Sequence, residues 1–336
     1  MSSLPPPLPQ PSGDLTLPDF AIGHGSDFAG MTGVTVILCP PAGALAAAEV
    51  RGSATGTRQF DSLVLGHHVA SRAHAVVLAG GSGFGLAAAD PVVAHLERDG
   101  RGFQTGVAVV PLVPTAILFD LGFGDPKARP HRALGEAALE AAAAGPVAVG
   151  SVGAGTGATV GKARGPECGM KGGFGFAALA VPNGPTVAAA VAVNAFGDVR
   201  DPFVGGGPIA GCRAAPESFE LVGAERVAAA LPADHAHPWQ GNTTLAVVMT
   251  DADLAKHQAL KVCQMAFGGL HRTLSPALSL FDGDLVVTLA GGRVRAEVNQ
   301  IGVLAEHAVA HAILNAVRSA DGFGVLPAVR DLPPAR

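Results

Sequence analysis

Short apolar runs, separated by turns rich in Gly and Pro, dominate the first two thirds of the chain. The runs at 34–39 and 74–78 have the length and the Val and Leu content of buried strands. Two further runs, 174–181 and 186–194, flank the turn sequence Pro-Asn-Gly-Pro and predict a β-hairpin. The pattern therefore predicts a sheet-rich protein in which several strands are joined by short turns.

Helical spacing appears in the segments that follow. Residues 132–143 predict a helix that ends at Gly145. Beyond residue 243, strand and helix patterns alternate as strand 244–250, helix 252–267, strand 284–290 and helix 300–317. This alternation, combined with hairpin strands, favours an α/β (α+β) layered sandwich with mixed sheets over a purely parallel, doubly wound sheet.

The chain is long enough for one large catalytic domain, which we place at residues 15–325. The Pro-rich residues 1–14 lack the basic and apolar regions of a signal peptide, and we expect them to form a disordered tail. The stretch 200–240 is irregular and rich in Pro and Gly, which is typical of a functional or mobile connection.

Charge and cysteine usage exclude several classes of partner. A net charge of −5 leaves no excess of Lys and Arg to neutralise phosphates, so we expect no nucleic-acid partner. The chain has no basic run, and Gly, Pro or charged residues interrupt its apolar stretches, so we expect no membrane partner. The four scattered cysteines form no C-x-x-C pair, which argues against a disulfide framework and favours a reducing cytoplasm.

Glycine-rich loops at 80–85 and 153–158 match parts of the known nucleotide-binding patterns. The first is not followed by a second strand that ends in an acidic residue about 20 positions later, and Ala163 stands where a phosphate-binding loop after the second would need Ser or Thr. None of the 12 His residues has the spacing of zinc ligands, and no G-x-S-x-G elbow is present. We therefore expect neither a cofactor nor a metal.

The stretch 241–244, Gly-Asn-Thr-Thr, directly precedes an apolar strand. A Thr that begins a strand can act as a nucleophile if the chain is cut just before it, because its new α-amine can serve as the base. A Gly-Asn turn leading into a strand is the structural alternative. On this segment alone, both interpretations of Thr243 remain open.

Four other polar residues lie in apolar or Gly-rich parts of the sequence, and each has a structural and a catalytic interpretation. Lys162 is either a solvated loop lysine or a cation near a reaction centre. Asn194 ends an apolar strand and either satisfies a turn or offers its amide to a tetrahedral intermediate. Asp282 and Asp284 flank a Gly and form either a hairpin turn or a carboxylate pair that supports proton transfer.

Taken together, these segments resemble one family of self-processing aminopeptidases, over about residues 15–325. The family includes the L-aminopeptidase/D-esterases, the β-peptidyl aminopeptidases and the 6-aminohexanoate-oligomer (nylon-oligomer) hydrolases. Among these, the motifs are most similar to those of the nylon-oligomer hydrolases. The motifs that carry the resemblance, in order, are 80–86, 153–162, 171–175, Asn194, 241–244 and 282–284.

The resemblance implies a four-layer αββα sandwich similar to that of N-terminal-nucleophile hydrolases. It also implies autocleavage between Asn242 and Thr243, giving an α-chain of residues 1–242 and a β-chain of residues 243–336. Members of the family commonly assemble as tetramers of such heterodimers.

Positions that match the family's motifs receive its roles. Thr243 matches the nucleophile, Lys162 a lysine close to it, and Asn194 the asparagine on the oxyanion side. Asp282 and Asp284 match the acidic pair of the members that use Thr, and Gly81, Ser82 and Phe119 are candidates for the substrate pocket. Phe119 departs from the family, because some members have Tyr there and this chain contains no Tyr.

The resemblance therefore implies an amidohydrolase that acts on small peptides, amides or nylon-type oligomers through an acyl-enzyme. Two alternatives stay open from the sequence. One is an acyltransferase similar to the ornithine acetyltransferases, which also use a self-generated Thr. The other is a binding protein that keeps the fold without being cut.

Overall fold

A computed structural model describes residues 7–232 and 241–333. Its strands are β1 (Asp14–Leu15), β2 (Ala21–Asp27), β3 (Thr32–Leu38), β4 (Ala44–Val50), β5 (Gly56–Arg58), β6 (Arg72–Ala73), β7 (Ala75–Ala79), β8 (Phe103–Gln104), β9 (Val109–Val110), β10 (Thr115–Ile117), β11 (Gly145–Pro146), β12 (Thr159–Val160), β13 (Met170–Lys171), β14 (Gly173–Ala180), β15 (Thr186–Asn194), β16 (Asp198–Arg200), β17 (Pro208–Ala210), β18 (Thr243–Ala252), β19 (Leu274–Ser275) and β20 (Leu285–Val294). Its α-helices are α1 (Asp61–Val64), α2 (Asp90–Arg98), α3 (Arg132–Glu140), α4 (Ala224–Ala229), α5 (Lys256–Thr273) and α6 (Val298–Arg318), and short 3-10 helices span Ser82–Ala89, Gly153–Gly155, Pro166–Cys168 and Val329–Asp331.

A six-stranded mixed sheet contains the predicted hairpin. Its strand order is β14-β15-β18-β20-β4-β6. Strands β14 and β15 pair antiparallel, as do β15 and β18, while β18 and β20 run parallel. Because these strands are rich in Val and Ala and are buried on both faces, they read in sequence as continuous apolar runs.

A second, five-stranded sheet faces the first. Its order is β2-β3-β7-β10-β5, with β7 and β10 parallel and the other neighbours antiparallel. Side chains from the facing surfaces of both sheets form the central core, including Phe174, Phe176 and Val247 from one sheet and Ile37 and Leu78 from the other. Burial of this apolar surface between the sheets holds the two layers together.

Helices cover the outer face of each sheet. Helices α5 and α6 pack on the six-stranded sheet, and α2 and α3 pack on the five-stranded sheet. The approach of α6 is close, because a Cβ on Gly175 would lie 1.8 Å from the carbonyl oxygen of Ala312. The layers are therefore helix, sheet, sheet and helix, which confirms the predicted αββα sandwich with mixed sheets.

Several element bounds differ from the sequence-based prediction. Helix α5 begins at Lys256 and ends at Thr273, later than predicted, because β18 continues to Ala252 through its pairing with β20. The stretch 200–240 is not wholly irregular, since β17 and α4 lie within it, and residues 233–240 are outside the described part of the chain.

The amino-terminal segment also differs from the expected tail. Ser12 forms a bridge with Ala178, and Asp14 pairs with Pro146, so the end of the predicted tail makes main-chain contacts with the domain. Residues 1–6 lie outside the described residues. Within the described ranges, no helix has the length and apolar character needed to cross a membrane.

Candidate active site

Thr243 is the first residue of β18, in the middle of the six-stranded sheet. It is buried, and its register partner on β15 is Asn194. The Thr243 hydroxyl donates a hydrogen bond to the carbonyl oxygen of Asn242, the residue just before it. The hydroxyl therefore lies against the peptide bond that the sequence predicts to be cut.

The turn that precedes β20 holds the same peptide from the other side. The Asn242 N–H donates to the carbonyl oxygen of Phe281 at 3.0 Å. The Gly283 N–H donates to the carbonyl oxygen of Asn242 at 3.1 Å. A Cβ on Gly283 would lie 2.7 Å from Thr243 Oγ1, so there is no room for a side chain between residue 283 and the hydroxyl. The Asn242–Thr243 bond is thus fixed between two strands.

The carboxylates of the two acidic residues accept hydrogen bonds from main-chain amides. Asp282 accepts hydrogen bonds from the amides of Phe196 at 3.2 Å and Ser279 at 2.8 Å. Asp284 accepts from the amide of Thr244 at 2.6 Å, directly after the candidate nucleophile. The pair therefore both shapes the turn and anchors the start of β18.

Both carboxyls are buried, and this controls their ionisation. Burial raises the pKa of Asp282, and hydrogen bonds to Ser279 and Phe196 oppose that change. Burial raises the pKa of Asp284 well above its usual range, and the negative charge of Asp282 raises it further. Because ionisation of one carboxyl disfavours ionisation of the other, the two groups share their protons as a pair.

Lys162 is buried beside Asn194 and Thr159. Its Nζ lies 2.9 Å from each of Asn194 Oδ1, Thr159 Oγ1 and the Thr159 carbonyl oxygen. Burial lowers the pKa of Lys162 to about 7, although the charges of Asp282 and Asp120 act in the opposite direction. A lysine of this kind exchanges its proton at neutral pH, which is the property that acid–base chemistry requires.

The side chain of Asn194 is fixed at both ends. Its Oδ1 accepts from Lys162 and, at 3.0 Å, from the amide of Thr159. Its Nδ2 donates to the carbonyl oxygen of Phe119 at 2.9 Å. Because a side-chain amide has two N–H donors, the hydrogen bonds among the described residues leave one of them for a further acceptor. Asn194 thus links Lys162 to the segment after β10 that carries Phe119.

A second buried lysine and a further carboxyl lie behind this network. Lys171 Nζ donates to the carbonyl oxygens of Gly155 at 2.8 Å and Ala158 at 2.6 Å, within the glycine-rich loop that leads to Lys162. Burial lowers the pKa of Lys171 to about 7, against the attraction of Asp120. Burial raises the pKa of Asp120 to about 6. The sequence did not single out this pair.

A cavity of about 470 Å³ opens next to these residues. Of the predicted pocket residues only Phe119 lies on its wall, whereas Gly81 and Ser82 do not. The Gly81 amide instead donates to Asp120 Oδ1 at 2.6 Å, so this loop supports the wall from behind. Other wall residues include Asp120, Phe123, Lys162, Glu167, Arg213 and Leu326.

The structure therefore brings together all five predicted catalytic residues and the predicted cut site. Two features of the site were not predicted from the sequence. The Gly283 amide carries no residue-type signal, because a main-chain donor belongs to any residue. The Lys171–Asp120 pair did have a signal, since Lys171 lies in a nearly uncharged, glycine-rich stretch within one of the family motifs.

An αββα sandwich with a hydroxyl residue at the head of a central strand is the arrangement of the N-terminal-nucleophile hydrolase class. The chain belongs to peptidase family S58, whose sequence pattern matches residues 17–325. Family membership confirms the resemblance identified from the sequence motifs. It also makes this chain a hydrolase that acts on amide or peptide bonds.

Individual relatives are similar over nearly their whole length. An uncharacterised aminopeptidase of Mycobacterium leprae is 37% identical over 92% of this chain and 88% of its own. A 6-aminohexanoate-oligomer endohydrolase of Paenarthrobacter ureafaciens is 29% identical over 89% of this chain and 84% of its own. The structure of an L-aminopeptidase D-Ala-esterase/amidase of Ochrobactrum anthropi, described as a variant of the Ntn hydrolase fold, superposes with a TM-score of 0.68 at 19% identity, covering 94% of this chain and 89% of that chain.

Proposed function

We propose that this chain is a self-processing threonine hydrolase that cuts itself before Thr243 and then uses Thr243 on small amide substrates. The observation that carries the proposal is the contact of the Thr243 hydroxyl with the carbonyl of Asn242. Ionisable side chains of the type needed for proton transfer lie around it, namely Lys162, Asp282 and Asp284.

Maturation requires an acyl shift followed by hydrolysis. Thr243 Oγ attacks the carbonyl carbon of Asn242, and the bond between that carbon and the Thr243 nitrogen breaks. The hydroxyl proton finishes on the nitrogen, which becomes the free α-amine. Water then cleaves the ester and leaves a carboxylate on Asn242.

Turnover repeats the same chemistry on an external amide. The α-amine of Thr243 takes the hydroxyl proton as Oγ attacks the substrate carbonyl, and it returns the proton to the leaving amine. The charges of Lys162 and the two carboxyls influence whether that amine carries a proton. The remaining N–H of the Asn194 side chain contributes to oxyanion stabilisation, and water releases the acyl group.

The substrates we propose are small peptides, amides or amide oligomers. Relatives bear the names aminopeptidase and 6-aminohexanoate-oligomer endohydrolase, so both kinds of amide enter the proposal. The cavity has room for a few residues and combines aromatic and aliphatic walls with charged groups at Lys162 and Glu167. A mixed wall of this kind suits a short chain with an apolar stem and polar ends.

The two products are proposed to stay together after the cut. Strand β18, which would begin the β-chain, pairs with β15 of the α-chain on one side and with β20 on the other. Separation would expose the central core, so the fragments form one stable heterodimer. A tetramer of heterodimers in the cytoplasm completes the proposal, following the family resemblance and the cysteine usage.

The test compares Thr243→Ala with Thr244→Ala. Residue 244 is equally buried but its hydroxyl makes no hydrogen bond within the described residues, so its loss is a matched control. Thr243→Ala should remain one chain and lose at least about 10³-fold in turnover. Thr244→Ala should be cut and active on a panel of amino-acid p-nitroanilides, β-peptides and 6-aminohexanoate oligomers. Cutting in the Thr243→Ala chain would exclude Thr243 as the nucleophile.

A further inference from the structure

We infer that the main-chain N–H of Gly283 is the oxyanion donor for the self-cut and, afterwards, for turnover; this inference rests on the proposed function. In the uncut chain this N–H donates to the carbonyl oxygen of Asn242 at 3.1 Å. That oxygen would gain negative charge when Thr243 Oγ attacks. Donors about 2.7–3.1 Å from the developing oxyanion are the geometry that lowers such a barrier.

The Gly283 amide is fixed before the reaction begins. On one side of it, the carbonyl oxygen of Asp282 accepts from the amide of Ala54 at 3.0 Å. On the other, the carbonyl oxygen of Asp284 accepts from the amides of Arg51 at 3.1 Å and Gly52 at 2.9 Å. Neither neighbour can rotate without breaking these bonds, so the donor needs no reorganisation as charge develops.

A glycine is required at residue 283 by its surroundings. An added Cβ would lie 2.7 Å from Thr243 Oγ1 and 2.8 Å from the carbonyl oxygen of Ala54. Gly52 packs against the same segment, since its own Cβ would lie 2.1 Å from the amide nitrogen of Asp284. A side chain at residue 283 would therefore clash with the Thr243 hydroxyl, and the glycine lets this main chain lie close to the nucleophile.

The same donor becomes available to substrate after the cut. When the Asn242 carboxylate leaves, the Gly283 N–H loses its acceptor but stays beside Thr243 Oγ1. A substrate carbonyl attacked by that Oγ must place its oxygen close to where the Asn242 oxygen was. The peptide bond of the precursor thus occupies the position of the substrate amide, and one main-chain donor serves both reactions.

The direct test removes this N–H without adding atoms. Cell-free translation with a suppressor tRNA carrying glycolic acid replaces the Gly283 amide by an ester. The matched control carries lactic acid at Ala54, which deletes the amide that donates to Asp282 and leaves the donor to Asn242 in place. Resistance to thermolysin verifies that each chain is folded, and a time course on gels follows the appearance of the two fragments.

Loss of one oxyanion donor should slow cutting of the 283 ester by about 10²–10³-fold. The Ala54 ester should cut within about tenfold of the unmodified chain, since it loses only one ordinary hydrogen bond. Wild-type cutting by the folded 283 ester overturns the inference, whereas an unmodified chain that never cuts overturns the proposed function instead.

Discussion

Replacing Lys171 by Met removes one of two buried ammonium groups behind the active site. Lys171 is fully buried, and within the described residues its Nζ donates hydrogen bonds only to main-chain carbonyl oxygens, those of Gly155, Ala158 and Gly172. Burial lowers its pKa from 10.5 to about 7, and the charge of Asp120 does not restore it. Methionine has a side chain of similar length but no ionisable group.

The magnitude follows from proton linkage. Because the folded-state pKa lies below the unfolded value, the unfolded chain binds more protons above neutral pH, so stability rises with pH. Between about pH 6.5 and about pH 8.5 one such lysine contributes a rise of about 2 kcal/mol in the free energy of unfolding. Lys162 has the same shift, so the two lysines together contribute about 4 kcal/mol.

Lys171→Met should therefore remove about half of that rise. Its absolute stability can change in either direction, because methionine loses hydrogen bonds but also avoids the cost of burying a charge. The pH dependence is the cleaner quantity. Loss of the Lys171 charge also raises the pKa of Asp120, which makes the remaining slope smaller still.

The assay is urea unfolding at several pH values in a Thr243→Ala background, so that every sample is one uncut chain. The control is Lys261→Met, which removes an exposed lysine of α5 and should leave the slope unchanged. Subtraction of the two curves cancels the buried cysteines, which titrate alike in both. If Lys171→Met keeps the full rise in stability, Lys171 does not lose its proton on folding and the reasoning is refuted.

Three further substitutions probe the site itself. Lys162→Met removes the donor to Asn194 and should slow both cutting and turnover by about 10²-fold in gel and release assays; wild-type rates would exclude a proton-transfer role. Phe119→Tyr adds a hydroxyl on the cavity wall and should change kcat or KM by about tenfold without affecting the cut, and unaltered kinetics would contradict this. Gly241→Ala places a Cβ 2.5 Å from Phe119 Cβ and should lower the free energy of unfolding by about 1–3 kcal/mol in urea, a loss that an unchanged midpoint would disprove.

The central strands were predictable because their patterns are local. The hairpin of β14 and β15 follows from two apolar runs around a Pro-Asn-Gly-Pro turn, and β18 follows from the switch from polar to apolar residues, which placed its start at residue 244, one position after the observed start. The αββα layering came from the resemblance, since no local pattern states which face of a sheet meets which helix. The start of α5 was missed because sheet pairing, a non-local contact, extends β18.

The candidate site was predictable only where a residue type carries the chemistry. Thr243, Lys162 and the acidic pair have side chains that motif order can identify. The Gly283 donor is a main-chain group, and its role depends on a turn that meets Asn242 from a distant part of the chain. Lys171 did carry a signal as a charged residue in a nearly uncharged, glycine-rich stretch, but its partners are main-chain carbonyls that no sequence pattern marks.

The central claim is that the chain cuts itself before Thr243. Intact mass spectrometry of the purified wild-type protein, with amino-terminal sequencing of the smaller species, tests it most directly. The account predicts two chains, residues 1–242 and residues 243–336, with the second beginning at Thr243. A single active species of 33.4 kDa would contradict it.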